Sequence, residues 1–533
     1  MTDPATPSAP THRLGGLIAA LEARGLLRSV LPGPGGAPAL VPIASVQMDS
    51  RRVTPGALFV AVPGRNVDGH DLVPAAVASG AVAVIGERVT AGAGVPQLLV
   101  MASRPALAAA ASWCLDDPSH DLGIVGITGT DGKTTTAFLV RAMLEACGLR
   151  TGLTGTIDTI VGGRSLGNPG RATTPEAPEL QAHLAAMRDA GDRWAVVEST
   201  SHGLAQDRVG AIAYDLGVLT NITSEHLEFH GTLEAYRAAK RRLFEWLAPG
   251  PHNPDKGYGK HAIINRDDPV AADFASAAAR GGATVVTYGA DAAADLRPIA
   301  IREGPAGLRI RVRTPRWEDD LTLRLAGRFN VHNALAALAV GEALGLDPER
   351  MRAGLSGLEG VPGRMQVIDQ GQPFRVVVDY AHTEESLGKV LDNLAPLAAA
   401  GGGGLIAVFG SAGDRDPTKR APMGRVAAER CKLVVLTDED CRTEDPDAIL
   451  EQIAAGAEKA GARRGQSLLL IADRREAIAR AIELAAPGDV VVLAGKGHEK
   501  TIEQAGGAIP WDEAGAAREA LAALGWVARE TRV

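Results

Sequence analysis

The stretch that most constrains this chain runs from Asp121 to Gly148, DLGIVGITGTDGKTTTAFLVRAMLEACG. Leu122 to Ile127 is an apolar run long enough for a buried strand. The chain then turns through Thr128-Gly129-Thr130-Asp131-Gly132-Lys133-Thr134-Thr135 into a helical pattern. That pattern puts Thr136, Leu139, Val140, Met143, Leu144 and Cys147 on one face, with Gly148 as a stop. Strand, glycine turn, Gly-Lys-Thr and helix in this order read as a phosphate-binding loop. Backbone N–H groups close on phosphate oxygens, and the helix N-terminus adds positive potential. Lys133 can then reach the β- and γ-phosphates, and the Thr134 hydroxyl can hold Mg²⁺. Ile127 stands where the strict Walker spacing has glycine, so the competing reading is a plain glycine turn. Gly-Lys-Thr directly after a strand favours the phosphate loop.

The chain has 533 residues, enough for three or four domains at roughly 150 residues each. Its net charge of −8 argues against a nucleic-acid surface, so basic residues that matter should act locally. Cys114, Cys147, Cys431 and Cys441 form no CxxC pair, which fits a reducing cytoplasm rather than a disulfide or zinc framework. No apolar run reaches the ~18 residues that span a membrane. The opening MTDPATPSAPTH lacks the apolar core of a signal peptide, and residues 1–13 read as a disordered tail.

Residues 14–117 are expected to form a smaller α/β domain, with short strands around the polar turn Asp49-Ser50-Arg51-Arg52. That turn is either a solvated corner or a ligand contact. Residues 118–360 follow as a second domain. Trp194 to Glu198 reads as a strand ending in a carboxylate, where a magnesium ligand belongs beside a phosphate loop. His226 and His230 have zinc-pair spacing, but no third ligand is evident. Leu233 to Leu247 reads as a helix. At about 100° per residue, Lys240 falls inside the apolar arc of Tyr236, Leu243, Phe244 and Leu247. Burial there lowers a lysine pKa. Such a neutral amine can take up CO₂ as a carbamate that holds Mg²⁺; alternatively, the side chain snorkels to solvent. Leu296 to Leu325 is β-rich, and Gly360 to Arg364 reads as a hinge.

Residues 361–533 alternate strand and helix, as in a parallel, Rossmann-like sheet. Strands at 374–380, 404–410, 432–437, 467–472 and 489–495 put Arg415, Asp440, Arg442 and Glu499 at carboxyl ends, where ligands bind. Mixed charge there suits a zwitterion, with arginines for a carboxylate and acids for an ammonium. Gly401 to Gly404 reads as a flexible connector. The whole is an α/β chain of three domains, suited to ATP-driven joining of a carboxylate to an amine through an acyl phosphate.

The chain resembles the Mur ligase family over nearly its whole length. The matching motifs are Asp49-Ser50-Arg51, Asp68-Gly69-His70, the phosphate loop, Thr173-Thr174-Pro175, Glu198-Ser-Thr-Ser-His202 and His230-Gly231-Thr232. Gly327-Arg-Phe-Asn-Val-His-Asn333, Gly363-Arg364-Met365, Asp379-Tyr-Ala-His382-Thr, Gly413-Asp-Arg415-Asp and Gly495-Lys-Gly-His-Glu499 continue in family order. The resemblance implies a monomeric, cytoplasmic ligase of peptidoglycan precursor synthesis. Its substrates would be UDP-MurNAc-L-Ala-D-Glu, ATP and a diamino acid, with Mg²⁺ as cofactor and CO₂ or bicarbonate as the source of a lysine carbamate. It implies that Ser50, Thr173, Thr174, Thr200, Gln206 and Arg208 hold the UDP-sugar dipeptide. Lys133 and its loop, with Asn333, Arg364, Asp379 and His382, would hold ATP. Thr134, Glu198, His226 and carbamylated Lys240 would hold magnesium. Arg415, Glu439, Asp440, Arg442, Gly495 and Glu499 would bind the diamino acid. Folylpolyglutamate synthases share the ATP domain, and a nucleotide-dependent binding protein without catalysis is the alternative from another class. Asp131 replaces the usual asparagine of the loop, Ala172 another asparagine, and Glu384 a proline. Glu439-Asp440-Cys441-Arg442 stands where diaminopimelate enzymes usually have Asp-Asn-Pro-Arg. Arg442 favours meso-diaminopimelate, the preferred expectation, because an arginine can pair with its distal carboxylate. Asp440 favours the bare ammonium of L-lysine or L-ornithine.

Overall fold

The computed structural model describes residues 12–34, 36–64, 67–168, 172–223, 225–304 and 307–527. Of the expected tail, residues 1–11 lie outside the described residues. Its last two, His12–Arg13, pair antiparallel with Pro42–Ile43 instead of hanging free. The chain divides into two compact units.

Beside that two-stranded pairing, the described residues of the first unit form two larger sheets. A five-stranded one orders Leu27–Leu31, Gln97–Val100, Ala83–Gly86, Ala57–Val60 and Ser45–Gln47, parallel except for the first. The larger has eight strands. Six run parallel, in the order Thr151–Thr154, Trp194–Glu198, Gly123–Thr128, Leu216–Leu219, His261–Asn265 and Thr284–Tyr288. A hairpin, Thr159–Val161 with Arg164–Ser165, closes one edge. Gly123–Thr128 is buried at every position, as its unbroken small and apolar sequence requires of a strand covered on both faces. From this strand the chain moves first to one side and then to the other. The carboxyl ends of its neighbours Trp194–Glu198 and Leu216–Leu219 therefore flank a topological switch point. Helix Leu233–Glu245 buries Tyr236, Ala239, Lys240, Leu243 and Phe244, so its 3.6-residue periodicity placed Lys240 correctly.

The second unit is built on a six-stranded sheet. The order is Gln366–Ile368, Arg375–Asp379, Val490–Ala494, Leu405–Phe409, Leu433–Leu436 and Leu468–Leu470, parallel except for the first. Its Val, Leu and Ile runs fill two apolar layers, one under each set of helices. The β-rich stretch forms a three-stranded sheet, Arg297–Gly304, Gly307–Arg313 and Glu318–Leu323. Gly401 to Gly404 is not a slack connector. A Cβ on Gly403 would lie 2.3 Å from the Gly488 carbonyl carbon and 2.4 Å from the Asp489 nitrogen. Gly404 N also donates to Asp489 Oδ1 at 2.8 Å. Backbone meets backbone here, which only glycine permits.

Candidate active site

Gly129 leaves its strand with φ +149°, and a Cβ there would fall 1.8 Å from Thr220 Oγ1. That hydroxyl is not free to retreat, because it donates to Asp131 O at 2.6 Å. Gly129→Ala is therefore expected to destabilise the fold by about 1–3 kcal/mol and to weaken ATP binding, as read by thermal melts with and without nucleotide. An unchanged melt would mean that the loop is not held this tightly. Thr130 N donates to Asn221 O at 2.7 Å and Asp131 N to Asn221 Oδ1 at 2.9 Å. These bonds pin the loop through the backbone of Thr130 and Asp131. Thr128 and Thr135 are buried at the two ends of the loop. Lys133 Nζ donates to the carbonyls of Gly129 (3.0 Å) and Thr130 (2.8 Å). Thr136 Oγ1 donates to Asn333 Oδ1 at 3.3 Å, which brings Asn333 to the first turn of Lys133–Ala146.

Glu198 is fully buried at the end of its strand. Its Oε2 accepts from Thr134 Oγ1 at 2.9 Å and Thr156 Oγ1 at 3.0 Å, and its Oε1 from Thr156 N at 3.0 Å. A hydroxyl and a carboxylate in contact beside a phosphate loop are hard oxygen donors, the set Mg²⁺ prefers. Lys240 is 2% exposed, its Nζ 2.5 Å from Gly129 O and 4.6 Å from the Tyr236 ring centroid. Burial first, and Lys133 second, push its ammonium pKa well below the ordinary lysine value. His226 meets Glu225 and Glu228 at 3.6 and 3.4 Å. It adopts a left-handed backbone, φ +57°, and its ring meets His202 edge-on at 4.7 Å. Burial, then His226 and His230, push His202 down to about 4. Among the described residues no group of three His, Cys, Asp or Glu forms a metal cluster, so His226 and His230 gain no third partner of that kind.

A chain of hydroxyls extends from Glu198. Thr156 Oγ1 meets Thr173 Oγ1 at 3.0 Å, and Thr174 Oγ1 donates to Glu198 O at 2.7 Å while meeting Thr200 Oγ1 at 3.0 Å. Arg208 Nη1 donates to Thr174 O at 2.9 Å, and its Nη2 donates to Gln206 Oε1 at 2.7 Å. Glu176 joins Arg208 (3.0 Å) to Arg104 (3.3 Å), tying this network to helix Ser103–Trp113. Thr173, Thr174, Thr200, Gln206 and Arg208 thus form one connected set. Ser50 opens the turn Ser50–Arg52, where Asp49 holds the Arg51 guanidinium.

In the second unit, Asp379 accepts from Met365 N at 2.8 Å and Ala381 N at 2.9 Å. Burial pushes its carboxyl pKa up, against the pull of Arg364. The Arg364 guanidinium lies 5.1 Å from the Tyr380 ring, and His382 Nδ1 contacts Tyr380 O at 2.8 Å. Asp440 Oδ1 accepts from Lys496 Nζ at 2.9 Å and from Glu503 N at 2.7 Å. Lys496 is fully buried and also reaches Glu499 Oε2 at 2.5 Å. Arg442 donates through Nε to Glu503 Oε2 at 2.8 Å and through Nη1 to Gly413 O at 3.1 Å. Glu439 is buried beside Gly495, with its Oε2 lacking a hydrogen-bond partner among the described residues. Burial raises its carboxyl pKa. Arg415 is exposed.

Three family descriptions match in chain order: Mur ligase family, catalytic domain at 42–112; Mur ligase middle domain at 127–341; and Mur ligase, glutamate ligase domain at 363–497. A UDP-N-acetylmuramyl-tripeptide synthetase of Roseiflexus sp. (strain RS-1) is 49% identical over 91% of this chain and 95% of its own length. The chain belongs to the Mur ligase family. This Mur ligase is also 40% identical to a UDP-N-acetylmuramoyl-L-alanyl-D-glutamate--2,6-diaminopimelate ligase of Geobacillus kaustophilus, over 93% of the chain and 98% of that protein. The structure of a UDP-N-acetylmuramoyl-L-alanyl-D-glutamate--2,6-diaminopimelate ligase matches at a TM-score of 0.66 and 32% identity, covering 93% of this chain and 98% of that one. The Mur ligase is an ATP-dependent, ADP-forming enzyme of peptidoglycan synthesis. Two features of its geometry escaped the sequence reading. Thr156, which shares Glu198 with Thr134, follows a strand end and was open to the same strand-end rule. Arg474 and Glu513, a buried pair 39 positions apart, left no local signal.

Proposed function

We propose that this Mur ligase joins a diamino acid to UDP-N-acetylmuramoyl-L-alanyl-D-glutamate at the expense of ATP. The observation that carries the reading is the unbroken run of contacts from the phosphate loop, through Thr134 and Glu198, to Thr174, Thr200 and Arg208. It sets a phosphate end beside a polar surface suited to a carboxylate substrate, with Ser50, Thr173 and Gln206 assigned to the same ligand. A D-glutamyl carboxylate oxygen attacks the γ-phosphorus, the bond to the ADP oxygen breaks, and an acyl phosphate forms. The amine then attacks the acyl carbon, phosphate leaves, and the amine gives up a proton. Lys133 turns from its two loop carbonyls to the transferring phosphoryl group. Thr134, Glu198, His226 and Lys240 as its carbamate are the residues assigned to Mg²⁺, which screens the charge of the phosphates when bound. Asn333, Arg364, Asp379 and His382 are assigned to ATP. The proposed domain limits are 14–117, 118–360 and 361–533, and the setting is the cytoplasm.

For the amine, the geometry favours L-lysine or L-ornithine. Arg442, the reason to expect meso-diaminopimelate, is already bound to Glu503. Glu439, Asp440, Glu499 and Glu503 meet Lys496 and Arg442 in this network, His382, Lys419 and Arg474 also act on Glu439, and Glu439 Oε2 has no hydrogen-bond partner among the described residues. A distal ammonium fits the unpartnered Glu439 oxygen, whereas a distal carboxylate must displace Glu503 from Arg442. Arg415 is assigned to the α-carboxylate. The second reading, meso-diaminopimelate, is favoured by the name of the Geobacillus relative. The test is ligation with UDP-MurNAc-L-Ala-D-Glu, ATP, Mg²⁺ and bicarbonate, offering each amine separately and reading product masses. Lysine or ornithine is expected to exceed diaminopimelate in kcat/KM by at least about tenfold, the factor about 1.4 kcal/mol provides. The reverse order would give the pocket to Arg442. No product from folded, ATP-binding protein would favour a binding role.

A further inference from the structure

We infer that Arg474 is a positioning residue for the incoming amine, its guanidinium fixing the backbone segments that carry Glu439 and Gly495. The inference rests on the amine site proposed above. Arg474 opens helix Arg474–Glu483 and is 3% exposed. Its Nη1 donates to Asp438 O at 3.0 Å and its Nη2 to Ala494 O at 2.7 Å. Asp438 immediately precedes Glu439, and Ala494 immediately precedes Gly495. The two carbonyls follow or end strands that are not neighbours: Leu405–Phe409 lies between Leu433–Leu436 and Val490–Ala494. No ladder bond can therefore set one directly against the other, and a single guanidinium spans the gap. Glu513 holds the fork from behind, accepting from Nε at 2.9 Å and Nη2 at 2.6 Å. Trp511 Nε1 anchors Glu513 in turn, at 2.7 Å.

A buried ion pair is weak grounds for stability, since apolar residues of similar volume often do as well. What this pair adds is geometry: planar donors at fixed angles, which a lysine cannot supply. The consequence falls on Glu439, whose unpartnered Oε2 would lie 2.7 Å from a Cβ on Gly495. A small shift of either segment changes the space in which the amine must sit, and displacements near 1 Å at reacting groups lower rates by about 100-fold.

The test compares Arg474→Met with Arg474→Met/Glu513→Gln in the full chain, measuring melting temperature and separate KM values for the three substrates. The single variant strands a buried carboxylate and should melt early. The double variant should recover most of that loss. Its KM for the amine should stay raised by about tenfold or more, while KM for ATP and the UDP-sugar dipeptide stays within about twofold. Amine KM returning to the wild-type value in the double variant would overturn the inference, as would all three KM values moving together. If the double variant does not fold, Arg474→Lys keeps the charge opposite Glu513. An amine KM raised at least about threefold there supports the role, and an unchanged one overturns it. Glu499→Gln separates the two levels. An unchanged amine KM there overturns the site itself. A raised one, with no effect at Arg474, overturns only the positioning role.

Discussion

Lys240→Met is expected to lower kcat for ligation by about 1000-fold while leaving the protein folded. The two effects part because of where the amine lies. Lys240 is buried against the Gly129 carbonyl and the Tyr236 ring, and burial disfavours its ammonium. Methionine keeps the length of the stem and removes the cation, so the lost hydrogen bond of about 1 kcal/mol is offset by relief of desolvation. The folded-state pKa is lowered, so the penalty for burying the ammonium is full below that value. It fades as pH rises toward the unfolded value of about 10.4. Any stability advantage of Lys240→Met should therefore shrink in alkaline melts. Activity follows a different course if the neutral amine takes up CO₂, forming a nitrogen–carbon bond and releasing a proton. Wild-type ligation should then fall when bicarbonate is removed, and ¹³C-bicarbonate should give a carbamate signal absent from Lys240→Met. Ligation within tenfold of wild type in the variant would return Lys240 to a packing role.

Lys133→Met is expected to lower kcat/KM for ATP by about 100- to 1000-fold, the range for losing one preorganised group at developing charge. The side chain donates to two loop carbonyls, Gly129 O and Thr130 O. Gly129 O is also held by Lys240, and Asn221 holds Thr130 N and Asp131 N, so the loop should keep its shape without Lys133. ATP-dependent product formation and the ATP-induced rise in melting temperature should both drop. The melt without nucleotide should stay within a few degrees. A large drop in that melt would make Lys133 a structural strut, and the activity loss would then say little about phosphate.

The phosphate loop was legible because its chemistry is local. Strand, glycines, Gly-Lys-Thr and helix are contiguous, and each residue type is dictated by the backbone or the phosphate. Lys240 was legible for the same reason: one helix period suffices to place it on the buried face. The parallel strands of the second unit announced themselves as Val- and Leu-rich runs ending in polar residues. Pairings across long sequence distances were not legible. Asp440 and Arg442 looked like competing determinants of the amine, yet Lys496 meets the first and Glu503 the second. Those partners lie 56 and 61 positions away, and nothing in the local pattern names them. Glycine was the other blind spot: the run at Gly401 to Gly404 has a linker's composition and a packed contact's geometry.

That contact bears on how tolerance to mutation should be interpreted in this chain. Gly403 and Gly488 lie before the strands Leu405–Phe409 and Val490–Ala494, at the ends opposite the ligand-bearing loops. Any side chain at Gly403 must push two main chains apart, with no flexible group to yield. In a saturation mutagenesis screen scored by growth, Gly403 should therefore be as unforgiving as Gly129. Intolerance alone cannot separate a residue that meets substrate from one that lets two strands begin side by side.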